Sequence, residues 1–275
     1  MRSPENPPIG SLVGKVALVT GASRGLGAAI AGRLAMEGAA VAVSARTLDP
    51  DPRYAGTLQD TVQAIEKIGG TARAFPSDLS KSDQRQALVA DVTRELGPVD
   101  ILVNNAAVTF FFPLQDFPLK RLDLMLEVQV RAPFELSQLV LPGMYERGGG
   151  AILNISSRAA EHPGPPPYDP VFTKGFTAYG LCKAALERLT TAIAAEGYEH
   201  GVRANALAPL DNVATPGAGA HDLVADFALE DPSVLAEAAL ALVEGDLTGR
   251  IALSQTLLAE LGRTPHPLPE GLVTG

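Results

Sequence analysis

The stretch from Lys15 to Ser44 constrains this chain most. Residues 15–20, KVALVT, form a short apolar run rich in β-branched side chains, the composition of a buried strand. A glycine-rich turn follows, Thr20-Gly21-Ala22-Ser23-Arg24-Gly25-Leu26-Gly27. Over residues 26–37, Leu26, Ile30 and Leu34 recur at helical spacing, and Gly38 is placed to end the helix. Residues 39–44 read as a second buried strand. A strand–helix–strand unit of this length builds two parallel strands with a right-handed crossover. The chain is therefore committed to a parallel sheet covered by helices.

The alternation continues. Residues 57–68 read as helix, 71–75 as strand, 83–96 as helix and 99–103 as strand. Residues 119–147 read as one long helix carrying Pro133. After it come a strand at 151–155, a helix at 176–200, a strand at 202–207, a helix at 232–243 and a last strand at 250–253. Seven strands joined through helices, with no repeat or linker, predict one α/β domain over residues 13–262, doubly wound, with helices on both faces. Residues 1–12 read as a loose polar arm without the apolar segment of a signal peptide. Residues 263–275, with Pro265, Pro267 and Pro269, read as a tail lying over the surface or on a neighbouring subunit. Two segments break the rhythm: a proline-rich stretch at 162–176, and 209–230, which mixes Pro, Gly and Asp.

Charge narrows the partners. With 22 Lys and Arg against 31 Asp and Glu, the formal net charge is −9, which disfavours nucleic acid and anionic membranes. The single cysteine, Cys182, allows no internal disulfide and suits a reducing compartment. No apolar run reaches the roughly 18–20 residues of a membrane span. These features predict a cytoplasmic protein without a metal, acting on a small molecule.

The glycine turn is the first candidate site. Glycines let backbone turn tightly and approach a pyrophosphate, while the helix after them offers free N–H groups. Gly21, Ser23, Arg24, Gly25, Leu26 and Gly27 are thus candidate cofactor contacts. The same letters also satisfy G-x-S-x-G, which would make Ser23 a hydrolase nucleophile. An elbow on the first strand has no preceding strand and loop to supply an oxyanion hole. His162, His200, His221 and His266 lie in loop-like or helix-end settings without an evident carboxylate.

At the end of the second strand an acid would bind the adenosine ribose and repel a 2′-phosphate. Here the sequence reads Ser44-Ala45-Arg46-Thr47. Arg46, with Arg24, favours NADP(H), because guanidinium groups suit phosphate oxygens. The alternative, NAD(H), has Asp49 or Asp51 folding back to the ribose. Further on, Tyr179 and Lys183 lie one helical turn apart on one face. An ammonium beside a phenol is expected to lower the phenol's pKa and make Tyr179 an acid/base group near neutrality.

Together these residues resemble the short-chain dehydrogenase/reductase family. The resemblance runs from about Val13 to Leu261 through TGASRGLG (20–27), Asp78-Leu79, Asn104-Asn105-Ala106-Ala107, the Ser157 region, YGLCK (179–183) and Arg203-Ala204-Asn205 to Pro209. It implies a Rossmann-type fold and hydride transfer between NADP(H) and a carbonyl/alcohol pair. It assigns proton transfer to Tyr179, substrate oxygen to Ser157, ribose to Lys183 and the adenine amino group to Asp78. Asn104 would stabilise the central strand and line the cofactor groove. Leu79, Asn105, Ala106 and Pro209 would also contact cofactor, and Val213 and Thr215 its nicotinamide amide. Strand alternation sends Ser156 and Ser157 to opposite faces, so only one serves.

Three departures stand out. Gln129 occupies the place of an Asn that, in the family, helps hold a water linking the lysine to solvent. It substitutes for that residue or the relay is re-routed. The segment between Ser157 and Tyr179 is longer than usual, offering Tyr168 and Phe172 as substrate contacts or as an interface loop. Leu210 stands where the family has glycine. Phe110, Phe111 and Phe112 suit either an apolar pocket for an acyl, steroid-like or aromatic carbonyl, or ordinary core. The family's habit implies a homotetramer or dimer through the helices at 119–147 and 176–200. A low-turnover NADP(H) redox sensor is the reading from another class.

Overall fold

The structure, a computed structural model, describes residues 10–46, 56–168, 175–210, 212–213 and 229–272. Strands β1 (Val16–Thr20) and β2 (Ala40–Ala45) flank helix α1 (Gly25–Met36). Helix α2 (Leu58–Lys67) leads to β3 (Thr71–Pro76), and α3 (Ser82–Glu95) to β4 (Ile101–Asn104). Next come α4 (Leu119–Leu126), a π-helical turn Glu127–Arg131, α5 (Ala132–Glu146) and β5 (Gly150–Ile155). Helix α6 (Thr177–Gly197) precedes β6 (Val202–Ala208). A small parallel pair, β7 (Asn212–Val213) and β8 (Leu229–Glu230), leads to α7 (Pro232–Glu244), β9 (Ile251–Leu253) and α8 (Ser254–Leu261).

Seven strands form one parallel sheet in the order β3-β2-β1-β4-β5-β6-β9. The order reverses between β1 and β4, which opens a crevice at their carboxyl ends. Alternation divides β1 between two cores. Ala17 and Val19 join α1, α2, α7 and α8 on one face, and Val16 and Leu18 join residues of α3, α5 and α6 on the other. All seven expected main-sheet strands are present; β7, β8 and α8 are additions.

The expected single helix at 119–147 is interrupted. Pro133 has no N–H to give the Gln129 carbonyl four residues back, and the ladder lengthens there: the Ala132 N–H bonds to Glu127 instead. The N-terminal boundary also differs from expectation. Leu12 is buried, and its N–H donates to the Glu37 carbonyl at 3.0 Å, so the boundary drawn after residue 12 falls within packed structure. The tail runs over the surface of its own chain, mostly exposed and anchored at its end. Leu272 is buried, and a Cβ on Gly32 of α1 would lie 2.2 Å from its Cδ1. A buried ion cluster ties the tail in place: Glu237 of α7 bonds Arg33 at 2.7 Å and Arg263 at 2.7 Å.

Candidate active site

The site assembles where β1, β4 and β5 end. Gly21 sits at φ +67°, a conformation that side chains disfavour. Asn105 reaches across from the end of β4, its Nδ2 donating to the Thr20 carbonyl at 2.9 Å and to the Gly21 carbonyl at 3.1 Å. Thr20 answers through its hydroxyl, which accepts the Asn105 and Ala106 N–H groups at 3.0 and 3.2 Å. A Cβ on Gly27 would stand 2.3 Å from the Gly21 carbonyl oxygen and 2.6 Å from Asn105 Nδ2. Only hydrogen fits. Among the described residues no side-chain hydrogen bond caps the start of α1, whose N-cap residue is Arg24, and a helix N-terminus of this kind leaves its first N–H groups for an anion. This cradle fits a dinucleotide pyrophosphate.

Ser23 is buried, and its hydroxyl accepts from Arg24 Nε at 3.4 Å. The hydrolase reading finds no support among the described residues: His162 and His266 are exposed, and His200 stacks on Tyr145 at 4.1 Å beyond the end of α6. Residues 47–55, with Asp49 and Asp51, lie outside the description, as do Phe172, His221 and Thr215. Arg46 is exposed at the end of β2. Asp78 accepts from the Ser80 N–H at 3.1 Å and hydroxyl at 2.8 Å. Burial opposes its charge, but these bonds and the charges of Lys81 and Arg46 hold its carboxyl below the usual value.

Leu79 turns its side chain away from the groove. Its side chain lies in the core, and its carbonyl accepts from the buried Arg85 at 2.5 Å, leaving its N–H for any cofactor contact. Asn104 likewise points inward rather than lining the groove, donating to Asn154 at 2.8 Å, which in turn donates to Thr190 at 2.8 Å. That chain stitches β4 and β5 to α6. Asn105, not Asn104, shapes the crevice.

On the β5 side, the hydroxyls of Ser157 and Tyr179 are hydrogen-bonded to one another. Ser156, also beyond the last residue of β5, donates to Glu187 of the same helix at 2.6 Å, so both serines meet α6 rather than dividing between opposite faces. Lys183 is buried, donates from Nζ to the Ile155 carbonyl at 2.8 Å and stands 5.5 Å from the centre of the Tyr179 ring. The one-turn spacing thus brings the residues together, but the electrostatics correct the expectation. Burial pushes the Tyr179 phenol up, against the Ser157 bond, and the amine is no counterweight. Burial also draws Lys183 down to about 8, against the neighbouring Cys182 and Glu187. The Cys182 thiol itself is pushed up to about 11, again chiefly by burial.

Gln129 is buried on the π turn. Its Nε2 donates to the Val108 carbonyl at 2.8 Å and its Oε1 lacks a partner among the described residues. The aromatic run is not ordinary core: Phe110, Phe111 and Phe112 are only partly buried. Phe111 packs on Phe176 at 4.6 Å and on Tyr179 at 6.0 Å, making an apolar wall beside the phenol. Arg121 covers the Phe110 ring at 4.6 Å and the Phe112 ring at 4.9 Å. Tyr168 is exposed. Pro209 is partly buried at the exit of β6, and Val213 lies in β7. The loop carrying them is held by a residue the sequence did not mark. Buried Glu230 accepts from the Leu210 N–H at 3.3 Å, the Ser254 hydroxyl at 2.6 Å and Gln255 at 2.9 Å. No group of three metal-ligating side chains occurs among the described residues, and no described helix is long and apolar enough to cross a membrane.

Comparison with known proteins agrees with this arrangement. The family model for short chain dehydrogenase matches residues 15–220. Hydroxysteroid dehydrogenase-like protein 2 of Homo sapiens is 31% identical over 262 residues, covering 93% of this chain and 60% of that protein. The chain thus spans about 60% of the length of that relative. Among solved structures, a short chain dehydrogenase from Mycobacterium thermoresistibile is 32% identical with a TM-score of 0.80, covering 95% of this chain and 94% of that one. A metagenomic short-chain oxidoreductase in complex with NADP is 32% identical with a TM-score of 0.71, covering 88% and 100%. The chain belongs to the short-chain dehydrogenase/reductase family, with its Rossmann-type sheet.

Proposed function

We propose that the chain is an NADP(H)-dependent oxidoreductase interconverting a carbonyl and a secondary alcohol, with Tyr179 as acid/base. The observation that carries this is the paired Ser157 and Tyr179 hydroxyls, with Lys183 one turn behind. They stand at the strand ends beside a glycine cradle that admits only hydrogen at Gly27. Gly21, Ser23, Gly25, Leu26 and Gly27 would hold the pyrophosphate, Asp78 and the Leu79 N–H the adenine. Asn105, Ala106 and Pro209 would line the groove toward the nicotinamide, with Val213 and Thr215 on its amide. Exposed Arg46 with Arg24 would take the 2′-phosphate, and the NADP complex of the similar metagenomic oxidoreductase supports that preference.

Bound NADPH supplies the hydride that reduces the carbonyl carbon. Ser157 donates a hydrogen bond to the carbonyl oxygen, and Tyr179 delivers its proton there as negative charge develops. A phenol held up by burial is loaded with that proton at neutral pH, which suits it as the acid of reduction. Lys183, at about 8, exchanges protons near neutrality and restores the phenol, with Gln129 replacing the family's amide in the water path. In the reverse direction the same groups remove the alcohol proton. The Phe110–Phe112 wall favours an apolar carbonyl, and exposed Phe134 of α5 and Leu181 of α6 suit self-association into a dimer or tetramer. Cytoplasm is the compartment proposed. A screen of carbonyls and alcohols with NADPH deuterated at nicotinamide C4 tests the reading: deuterium on the product carbinol carbon is expected. A redox sensor would bind NADPH and transfer none.

A further inference from the structure

Three consecutive residues at the end of β5 each pair with a different turn of α6. Ser157 bonds Tyr179, the Ile155 carbonyl receives Lys183 at 2.8 Å, and Ser156 donates to Glu187 at 2.6 Å. Tyr179, Lys183 and Glu187 stand four residues apart in succession, so they form one stripe along the helix. Ser156 is the middle tooth of this zip. It is buried, and its own N–H is fixed to the Leu207 carbonyl of β6 at 2.8 Å. Its hydroxyl is therefore free to serve as one of the links that set the strand end against α6.

We propose that Glu187 is a positioning residue for this site. By holding Ser156, its carboxylate sets the strand end so that the Ile155 carbonyl meets Lys183 and the Ser157 hydroxyl meets Tyr179. The inference rests on the oxidoreductase reading above and adds a residue outside the motif that carries it. The carboxylate faces Lys183 on its own helix and Glu161 on the turn after β5; Glu161 is itself 3.6 Å from Arg158. Burial and Glu161 raise the Glu187 pKa, while the Ser156 bond and Lys183 lower it. Its negative charge in turn supports the Lys183 ammonium.

The test separates the two contributions. Ser156→Ala removes the hydrogen bond and keeps the charge; E187Q keeps an acceptor and removes the charge; E187A removes both. A loosened strand end predicts that S156A and E187A lose roughly 10-fold in kcat, below the on the order of 100-fold that a 1 Å misplacement costs. E187Q should recover most of that loss at low pH but begin to fail at lower pH than wild type. Independently of turnover, a lysine 13C NMR titration of the unliganded chain, with Lys183 assigned through K183R, should show its midpoint moving down in E187Q and holding in S156A. Wild-type kcat in E187A, or a Lys183 midpoint unmoved in E187Q, overturns the proposal. Absence of deuterium transfer from NADPH in the wild-type chain sinks the oxidoreductase assignment instead, while the NMR titration still reads the Glu187–Lys183 link.

Discussion

Gly27→Ala is the sharpest perturbation of the cofactor cradle. The added methyl would sit 2.3 Å from the Gly21 carbonyl oxygen, whereas ordinary contact begins near 3.4 Å, so something must move by about 1 Å. The carbonyl cannot yield alone, because Asn105 holds both it and Thr20, and the Thr20 hydroxyl holds the Asn105 and Ala106 N–H groups. The displacement therefore spreads into the end of β4. A shift of that size at a backbone surface built around a pyrophosphate is expected to weaken NADPH binding on the order of 100-fold, about 2.8 kcal/mol. Fluorescence titration of NADPH measures the loss, with circular dichroism confirming that the sheet is retained. Gly69→Ala serves as control: its methyl would meet nothing within 4 Å, and its φ of +78° disfavours a side chain, so it should cost stability without touching affinity. A G27A chain that binds NADPH as wild type does would refute the cradle argument.

Other outcomes follow from the same contacts. Arg46→Asp should lower the NADP/NAD preference roughly 10- to 100-fold, the worth of one or two charge-assisted bonds, read from kcat/KM with each cofactor; an unchanged ratio removes Arg46 from the phosphate. Lys183 is protonated below about 8, so kcat/KM for NADPH in carbonyl reduction should be level at lower pH and fall as pH rises through that value. Lys183→Arg, whose charge does not titrate, should abolish that limb, and its persistence would assign it elsewhere. Leu272→Ala should cost about 2–3 kcal/mol by emptying the notch at Gly32, a drop in Tm of roughly 4–10 °C. An unmoved Tm would mean the tail contributes nothing.

The repeating strand–helix pattern made the fold legible because each central strand is buried on both faces and each helix covers it with a 3.6-residue stripe. Short or irregular pieces were not legible in that way. The two-residue strands β7 and β8 carry no periodicity, and the tail is fixed by a leucine in a glycine notch and an arginine between two acids. The break between α4 and α5 was written in Pro133, whose missing N–H falls opposite Gln129. At the site, the Tyr179–Lys183 spacing foretold proximity but not the electrostatics. Spacing says nothing of how deeply a phenol is buried or which carbonyl an amine prefers, and those two facts reverse the expected direction of the shift. Glu187 and Glu230 went unmarked because their partners lie on other elements, 31 and 24 residues away in sequence.

Everything proposed for catalysis turns on one proton. Tyr179→Phe leaves the ring packing on Phe111 and Phe176 and removes only the hydroxyl that meets Ser157. Measured in parallel on one preparation, NADPH affinity should stay at the wild-type level while kcat for carbonyl reduction falls by about 10²–10⁴-fold. Turnover persisting at the wild-type rate in that variant would contradict the account.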